Sequence, residues 1–253
     1  MPLLHIRNEV KPLLKMKIGL FTDPHYCNAD VLCKTRRPRL SIQKMRCALD
    51  EFKKNNVDIC ICLGDITDRA PNATKEEGLE CFKEVLALIN SYGIPFYFVP
   101  GNHDYGVATG EELERLIGSA LPPYTADVCG IRFIALDANY RSDMNRYDVA
   151  GVLWTDSNLP PDQIAYLSTA LAESPYPCVV LSHENLDPNI PRTVHIIKNA
   201  EQARDIIRAS GKVKAVLQGH YHKGADNMID GIRYLTLPAM CEGEQNSYCI
   251  LEF

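Results

Sequence analysis

The stretch VDICICLGD, residues 57–65, decides how the chain is organised. It is a short apolar run, rich in Val and Ile, that ends abruptly at Gly64 and Asp65. Runs of this length without polar alternation are typical of strands buried on both faces. Cys60 and Cys62 alternate within it, where small apolar side chains suit a strand. The same pattern recurs at KIGLFTDPH (17–25), IPFYFVPGNHD (94–104), YPCVVLSHE (176–184) and VKAVLQGHYH (213–222).

Between these runs, apolar residues three and four positions apart predict amphipathic helices, of which the stripe from Ile42 to Phe52 is one. Thr74 followed by Glu77 resembles a capping box at a helix start. Strands that alternate with helices predict a layered α/β fold containing parallel pairs, whose ligands gather at the carboxyl ends of the strands. The runs GIRYLTLPAM (231–240) and SYCILEF (247–253) predict a β-meander that closes a second sheet.

The composition argues against two classes of partner. The 253-residue chain has a formal net charge of −5, which gives no general attraction to nucleic acid or to an anionic membrane. No apolar run approaches the roughly 18–20 residues that a membrane-spanning helix needs. We therefore expect neither a membrane nor a nucleic acid as partner, and the sequence does not indicate an oligomeric state.

The first residues and the cysteines bear on location. MPLLHIRNEVKPLLKMKIGLF, residues 1–21, is interrupted by charges and prolines and is a poor secretory signal. Residues 1–15 are predicted to be an N-terminal extension, followed by a single domain over residues 16–253. The ten cysteines include no C-x-x-C pair, so reduced thiols are the simplest interpretation. We therefore predict a cytoplasmic protein.

Polar residues at the predicted strand ends suggest a metal site. Five of the seven histidines stand there beside carboxylates, amides or one another. Imidazole, carboxylate and amide oxygen together are a ligand set for Mn, Fe or Zn, and the lack of cysteine argues against a structural zinc site. Taken singly, each cluster is also consistent with an ordinary turn. His5 and His195 lack such neighbours, and we interpret both as structural.

The set is too large for one ion and would suit two ions that share a carboxylate. Its members are Asp23, His25, Asp65, Asn102, His183, His220 and His222. Two ions about 3.5–4 Å apart can hold a hydroxide and neutralise phosphoryl oxygens during displacement at phosphorus. His103, next to Asp104, is left over and is a candidate to protonate a leaving group or stabilise charge.

The motifs D-x-H, G-D, G-N-H-D, a strand-end His and G-H-x-H, in this order over residues 23–222, resemble the calcineurin-like metallophosphoesterase family. The resemblance implies an α/β fold, a four-layer α-β-β-α sandwich of two mixed sheets with a dinuclear site at the strand ends. It implies that Asp23, His25 and His222 hold one ion, Asn102, His183 and His220 hold the other, and Asp65 bridges them. It further implies that His103 is the catalytic histidine, with Asp104 as its orienting partner.

The substrate is less well defined. TRRPRLSIQK, residues 35–44, and the stretch from GHYHKG to GIRYLTL resemble the manganese-dependent ADP-ribose/CDP-alcohol diphosphatase branch. Arginine forks suit diphosphates, although a solvated basic segment before a helix explains the first stretch almost as well. The predicted substrate-binding residues are Arg37, Arg39 and Tyr105, and the predicted substrate is a small nucleotide-type phosphodiester or diphosphate. The alternatives are a cyclic-nucleotide or glycerophosphodiester phosphodiesterase, a phosphomonoesterase and, disfavoured by an intact His103, a non-enzymatic scaffold.

Overall fold

The computed structural model describes residues 15–149 and 151–253. The strands are β1 (Lys17–Phe21), β2 (Ile59–Cys62), β3 (Phe96–Phe98), β4 (Tyr124–Val128), β5 (Ile131–Ala135), β6 (Cys178–Leu181), β7 (Val213–Gln218), β8 (Ala225–Ile229), β9 (Ile232–Thr236) and β10 (Cys249–Glu252). The α-helices are α1 (Ser41–Lys54), α2 (Lys75–Ser91), α3 (Asn102–Val107), α4 (Gly110–Ile117), α5 (Pro161–Glu173) and α6 (Ala200–Ser210). Two single-turn 3₁₀ helices cover Pro38–Leu40 and Thr193–His195.

The strands form two sheets, and both are mixed. The first has the order β10-β1-β2-β3 and the second β4-β5-β6-β7-β9-β8. Pairs β1–β2, β2–β3, β5–β6, β6–β7 and β7–β9 are parallel, and the remaining neighbours are antiparallel. Helices α1 and α2 pack on the outer face of the first sheet, and α5 and α6 on that of the second. The predicted four-layer α-β-β-α sandwich is confirmed.

Strand β2 shows how one apolar run serves two cores. Cys60 and Cys62 face α1 and α2, whereas Ile59 and Ile61 face the core between the two sheets. Because successive side chains on a strand point to opposite faces, a strand buried on both sides needs apolar residues throughout. In β1, a Cβ on Gly19 would lie 2.5 Å from the Phe52 ring, so glycine lets α1 approach the sheet.

The predicted capping box is present in the structure. Thr74 and Glu77 form the expected capping box at the start of α2, and Gly211 ends α6 with a positive φ of 63°. The predicted C-terminal meander is wrong. Strands β8 and β9 form a hairpin in the second sheet, but β10 crosses to the first sheet and pairs antiparallel with β1. The free edge of β1 accepts it, and such long-range pairing leaves no local sequence signal.

Two predictions concern the chain start and location. Apart from Lys15, the predicted extension over residues 1–15 lies outside the described residues, and a single domain over 16–253 stays a prediction. Within residues 15–149 and 151–253, no helix combines the length and the apolar character that a bilayer span requires. Each of the ten cysteines is a free thiol, as expected.

Candidate active site

Five loops meet at one edge of the sandwich and carry the seven predicted metal ligands. The loops after β1, β2 and β3 belong to the first sheet, and those after β6 and β7 to the second. In chain order they supply Asp23 and His25, Asp65, Asn102, His183, and His220 and His222. Carboxyl ends of parallel strands lie at the same edge, which is why residues distant in sequence converge here.

The first ligand set is centred on His25. Its Nε2 lies 3.5 Å from Asp23 Oδ1, 3.4 Å from Asp65 Oδ2 and 3.2 Å from His222 Nε2. His222 Nε2 is in turn 3.3 Å from Asp23 Oδ1. The four side chains thus direct nitrogen and oxygen atoms at one small volume.

The second set shares Asp65 with the first. Asp65 Oδ2 is 3.3 Å from His183 Nε2, and the ligand atoms of Asp65, His183 and His220 all lie within 4.8 Å of one another. Asn102 is buried next to His103, whose backbone N–H donates to Asp65 Oδ1 at 2.7 Å. One carboxylate therefore adjoins both sets, as a bridging ligand would.

The donor atoms fit a pair of divalent ions. Among the described residues, four buried ligand atoms have no hydrogen-bond partner: Asp23 Oδ1, Asn102 Oδ1, His183 Nε2 and His220 Nε2. Buried polar atoms without partners are costly, so such a cluster is expected to have a ligand. His183 Nδ1 donates to the Leu63 carbonyl at 2.6 Å, and His222 Nδ1 lies 2.7 Å from Glu242. These contacts leave Nε2 free to coordinate, the usual arrangement of metal-binding histidine.

The electrostatics of the cluster favour bound positive charge. Burial raises the pKa of Asp23, but His183 and the neighbouring imidazoles outweigh it and hold that pKa well below its usual value. Burial opposes charge on His183, yet Asp65 and Asp23 raise its pKa well above the usual value. His222 has a pKa raised to about 12, because contacts with Asp23, Cys241 and Glu242 overcome burial. The carboxylates thus favour the protonated, positively charged forms of His183 and His222. Divalent metal ions bound in the cluster would supply this positive charge instead.

Close backbone packing holds the ligands in place. Four of them, Asp23, His25, Asp65 and His220, have positive φ values of 47–65°, a region that non-glycine residues rarely adopt and that is common at functional sites. A Cβ on Gly101 would lie 2.2 Å from Asp65 Oδ1, and one on Gly219 would lie 2.2 Å from Thr22 Oγ1. The glycines of G-N-H-D and G-H-x-H are therefore needed for this close approach.

The structure corrects the predicted partner of His103. His103 Nδ1 lies 2.9 Å from Asp68 Oδ1, so Asp68, and not Asp104, orients the ring. The Asp104 carboxylate instead accepts hydrogen bonds from the backbone N–H groups of Asp65, Thr67 and Gly101. Burial, with the charge of Asp65 nearby, raises the pKa of Asp104 to about 7. The Asp104 carboxylate therefore supports the loop that carries Asp65, and its recorded hydrogen bonds are to backbone and not to the His103 ring.

The predicted substrate residues do not reach the cluster. Arg37 donates to the carbonyls of its own turn, and Arg39 pairs with Asp30 at 3.0 Å beside a groove of about 940 Å³. Tyr105 is fully buried and donates its hydroxyl to Asp137 at 2.6 Å. In this arrangement the recorded contacts of both arginines are with other groups and the Tyr105 side chain is buried, so the role of the three residues in substrate binding stays a prediction.

Some residues that reach the cluster are not among the predicted site residues. Arg36 lies 3.4 Å from Asp68 and 3.5 Å from His25 Nδ1, and Glu242 contacts His222. Asp68 had a usable signal, because it follows Asp65 by three residues in the same loop. His195, interpreted as structural, packs its ring 4.8 Å from that of His220, and no local motif marks it.

Comparison with known proteins gives the same family as the motifs. The calcineurin-like phosphoesterase profile matches residues 16–224. The chain is 26% identical over 192 residues to a 3′,5′-cyclic adenosine monophosphate phosphodiesterase of Haemophilus influenzae, covering 75% of this chain and 63% of that one. It is 25% identical over 268 residues to a manganese-dependent ADP-ribose/CDP-alcohol diphosphatase of Oryza sativa, covering 88% and 83%.

The fold is also shared with a solved structure. A dimetal phosphatase from Danio rerio superposes with a TM-score of 0.81 at 19% identity, covering 93% of this chain and 91% of that one. The chain spans less than two thirds of the length of the bacterial relatives that it matches. Since the family profile covers well over half of its residues, the chain belongs to the calcineurin-like phosphoesterase family.

Proposed function

We propose that this chain is a phosphoester hydrolase that uses two divalent metal ions, with Mn, Fe and Zn as the candidates. One observation carries the proposal: buried carboxylate, amide and imidazole atoms from both sheets converge, and four of them have no partner among the described residues. Oxygen and imidazole ligands without thiolate suit these ions. Membership of a phosphoesterase family supports the reaction class.

The proposed ligand sets follow the two clusters. His25, His222 and Asp23 would hold one ion, and His183, His220 and Asn102 the other, with Asp65 between them. When bound, the pair would activate a water molecule and neutralise charge on the phosphoryl oxygens. Contacts of Nδ1 with Glu242 in His222 and with the Leu63 carbonyl in His183 would leave Nε2 of each ring free to bind an ion.

The proposed general acid is His103, which is partly exposed beside His25 at a ring distance of 4.5 Å. Burial would disfavour its charged form, but Asp65 and Asp68 together raise the pKa of His103. A protonated His103 would give its proton to the departing ester oxygen as the bond from that oxygen to phosphorus breaks. Asp68 keeps the ring oriented through Nδ1, which leaves Nε2 to act.

The proposed substrate is a small nucleotide-type phosphodiester or diphosphate. Support comes from the Oryza diphosphatase, whose likeness extends over most of both chains, and from Arg36, whose guanidinium adjoins the cluster. A cyclic-nucleotide phosphodiesterase is the second candidate, supported by the Haemophilus relative. A net charge of −5 and free cysteines support the proposed small-molecule partner and cytoplasmic setting.

A hydrolysis panel after reconstitution with Mn²⁺ tests the proposal. It compares p-nitrophenyl phosphate, bis-p-nitrophenyl phosphate, ADP-ribose, CDP-choline and cyclic AMP, alongside metal analysis of each sample. Preference for the diphosphates supports the first candidate, and preference for cyclic AMP with ADP-ribose inert selects the second. If every ester is inert while both ions are bound, the enzyme proposal fails and a binding scaffold remains.

A further inference from the structure

Three aromatic rings lie near His220 of the second ligand set: those of Trp154, His195 and Tyr221. The Trp154 indole lies 5.8 Å from the His220 ring and 5.2 Å from the His195 ring, measured between centroids. His195 also packs against Tyr221 at 5.4 Å. Trp154 and His195 come from different segments, the loop before α5 and the 3₁₀ turn Thr193–His195, so the fold brings them together at the candidate site.

The Trp154 ring is partly open to solvent, unlike the buried Tyr221 and the aromatic residues of the core. Trp154 is 37% exposed, and Leu153 and Val194, its companions on the same two segments, are also exposed apolar residues. His195 Nδ1 is buried and has no hydrogen-bond partner among the described residues. Exposed apolar patches commonly mark binding sites. An exposed indole next to the ligand atoms therefore indicates a surface that binds part of a ligand.

We propose that Trp154 and His195 form a stacking wall for the nucleobase of a nucleotide-type phosphoester held at the ligand clusters. The inference rests on the proposed function and names the part of the substrate that this side of the site binds. The partly exposed indole and the imidazole have flat faces on which another flat ring can stack. In a nucleotide-type phosphoester that ring is the nucleobase. Base stacking on aromatic side chains is favourable and tolerates different bases.

The wall also gives the substrate a direction. His103 packs against His25 of the first ligand set, whereas His195 packs against His220 of the second. With the phosphorus between the two sets, the leaving group faces His103 and the nucleoside side faces Trp154. The base is then retained during the reaction while the other alcohol or phosphate departs beside His103.

Binding to the wall is measurable without turnover, because Trp154 is the single tryptophan of the chain. We expect AMP and CMP to quench its fluorescence saturably, and ribose 5-phosphate, which lacks a base, to leave it nearly unchanged. His195→Ala should weaken the AMP response by about tenfold, the order expected for one stacked base. Equal responses to AMP and ribose 5-phosphate, or no response to either, would overturn the wall.

A matched pair of substrates separates the wall from the chemistry. Thymidine 5′-p-nitrophenyl phosphate and methyl p-nitrophenyl phosphate share a leaving group and differ in the base-bearing side. Trp154→Ala should lower kcat/KM about tenfold more for the thymidine ester than for the methyl ester, mainly through KM. Trp154→Phe should restore most of the loss.

The control variant is Tyr176→Ala. Tyr176 is 39% exposed and precedes β6 at the opposite strand end, so its removal should affect neither substrate. Equal loss on both esters in Trp154→Ala would assign the indole a merely structural role and overturn the inference. If the unmodified protein with both ions bound hydrolyses neither these esters nor any ester of the earlier panel, the proposed function fails, whereas base-dependent quenching by AMP still supports the wall.

Discussion

The ligand clusters and the buried carboxylate Asp137 lie in neighbouring polar regions, and they differ in how their atoms are satisfied. Asp137 is fully buried, and both of its oxygens have partners: the Tyr105 hydroxyl at 2.6 Å, the backbone and side-chain nitrogens of Asn139 at 2.9 and 2.8 Å, and Arg146 at 3.4 Å. In the ligand clusters, acceptor atoms face one another instead, and several have no partner among the described residues.

The difference separates a structural network from a binding site. Around Asp137, hydrogen-bond donors and one cation compensate the buried charge, so that network holds α3 against the segment that carries Arg146. Around Asp65, lone pairs of carboxylates and imidazoles point at one another, and such an arrangement is stable only with protons or metal ions between them. Burial of polar groups alone does not identify a functional site, and single unmatched atoms also occur elsewhere, such as Asn139 Oδ1. The convergence of several unmatched carboxylate, amide and imidazole atoms on one small volume is what distinguishes the ligand clusters.

The largest expected effect comes from breaking the shared ligand. Asp65→Asn removes the charge that adjoins both clusters, so we expect loss of at least one of two ions and of measurable hydrolysis. Metal analysis of protein purified in Mn²⁺, together with the bis-p-nitrophenyl phosphate assay, checks this result. Unchanged metal stoichiometry would contradict the bridging role of Asp65.

Removing the proposed general acid should separate chemistry from metal binding. His103→Ala is expected to lower turnover by about 10²–10⁴-fold, the usual range for a general acid, with both ions retained. The two measurements are kcat on a poor leaving group and metal content of the same sample. Full activity in this variant would exclude His103 from the mechanism.

A smaller effect is expected when His103 is kept and its partner Asp68 loses its charge. Asp68→Asn removes a charge that, after Asp65, raises the pKa of His103, so the active protonated ring is lost at a lower pH. We expect the alkaline limb of the kcat/KM profile to move to lower pH, with a greater loss at pH 9 than at pH 6. The matched variant Asp104→Asn should not shift this limb, because Asp104 contacts backbone and not His103. Equal shifts in both variants would count against the Asp68 assignment.

The Asp137 network should respond in stability and not in metal content. Tyr105→Phe removes the 2.6 Å hydrogen bond to a buried carboxylate, which should cost about 1–3 kcal/mol in the free energy of unfolding. Chemical denaturation measures the change, and metal analysis should still find the wild-type content. Loss of metal without loss of stability would show that the two regions are not separate.

The smallest effects are expected at the arginines outside both regions. Arg37→Ala and Arg39→Ala should change stability by less than about 0.5 kcal/mol and leave kcat/KM unchanged, since both side chains serve local contacts. Arg36→Ala is the comparison, because its guanidinium lies 3.4 Å from Asp68, and it should raise KM for a diphosphate. A diphosphate-specific loss in Arg39→Ala would restore the predicted arginine clamp.

The layered fold and the gathering of the ligands were predictable because both depend on local patterns. A buried strand followed by D-x-H or G-H-x-H specifies its own strand end, and parallel strands bring those ends together. The pairing of β10 with β1 was not predictable, since its partner lies more than two hundred residues away in sequence.

The error over Asp104 has a geometric cause. Asn102, His103 and Asp104 begin α3, and successive residues on a helix point about 100° apart, so neighbours in sequence face different sides. His103 turns to Asp68 and Asp104 to the backbone of Asp65 and Gly101. The choice among Arg36, Arg37 and Arg39 likewise depends on a turn whose shape adjacent letters do not reveal.

Because the proposed ligands come from both sheets, bound ions would also have a mechanical role. Asp65 follows a strand of the first sheet, and His183 and His220 follow strands of the second. Ions bound by these residues would therefore cross-link the two sheets. A ligand present at a thousand times its dissociation constant adds about 4 kcal/mol to the folded state. A chelator should therefore do more than stop turnover. It should lower the melting temperature of the protein and increase the rate at which proteases cleave the loops between the two sheets.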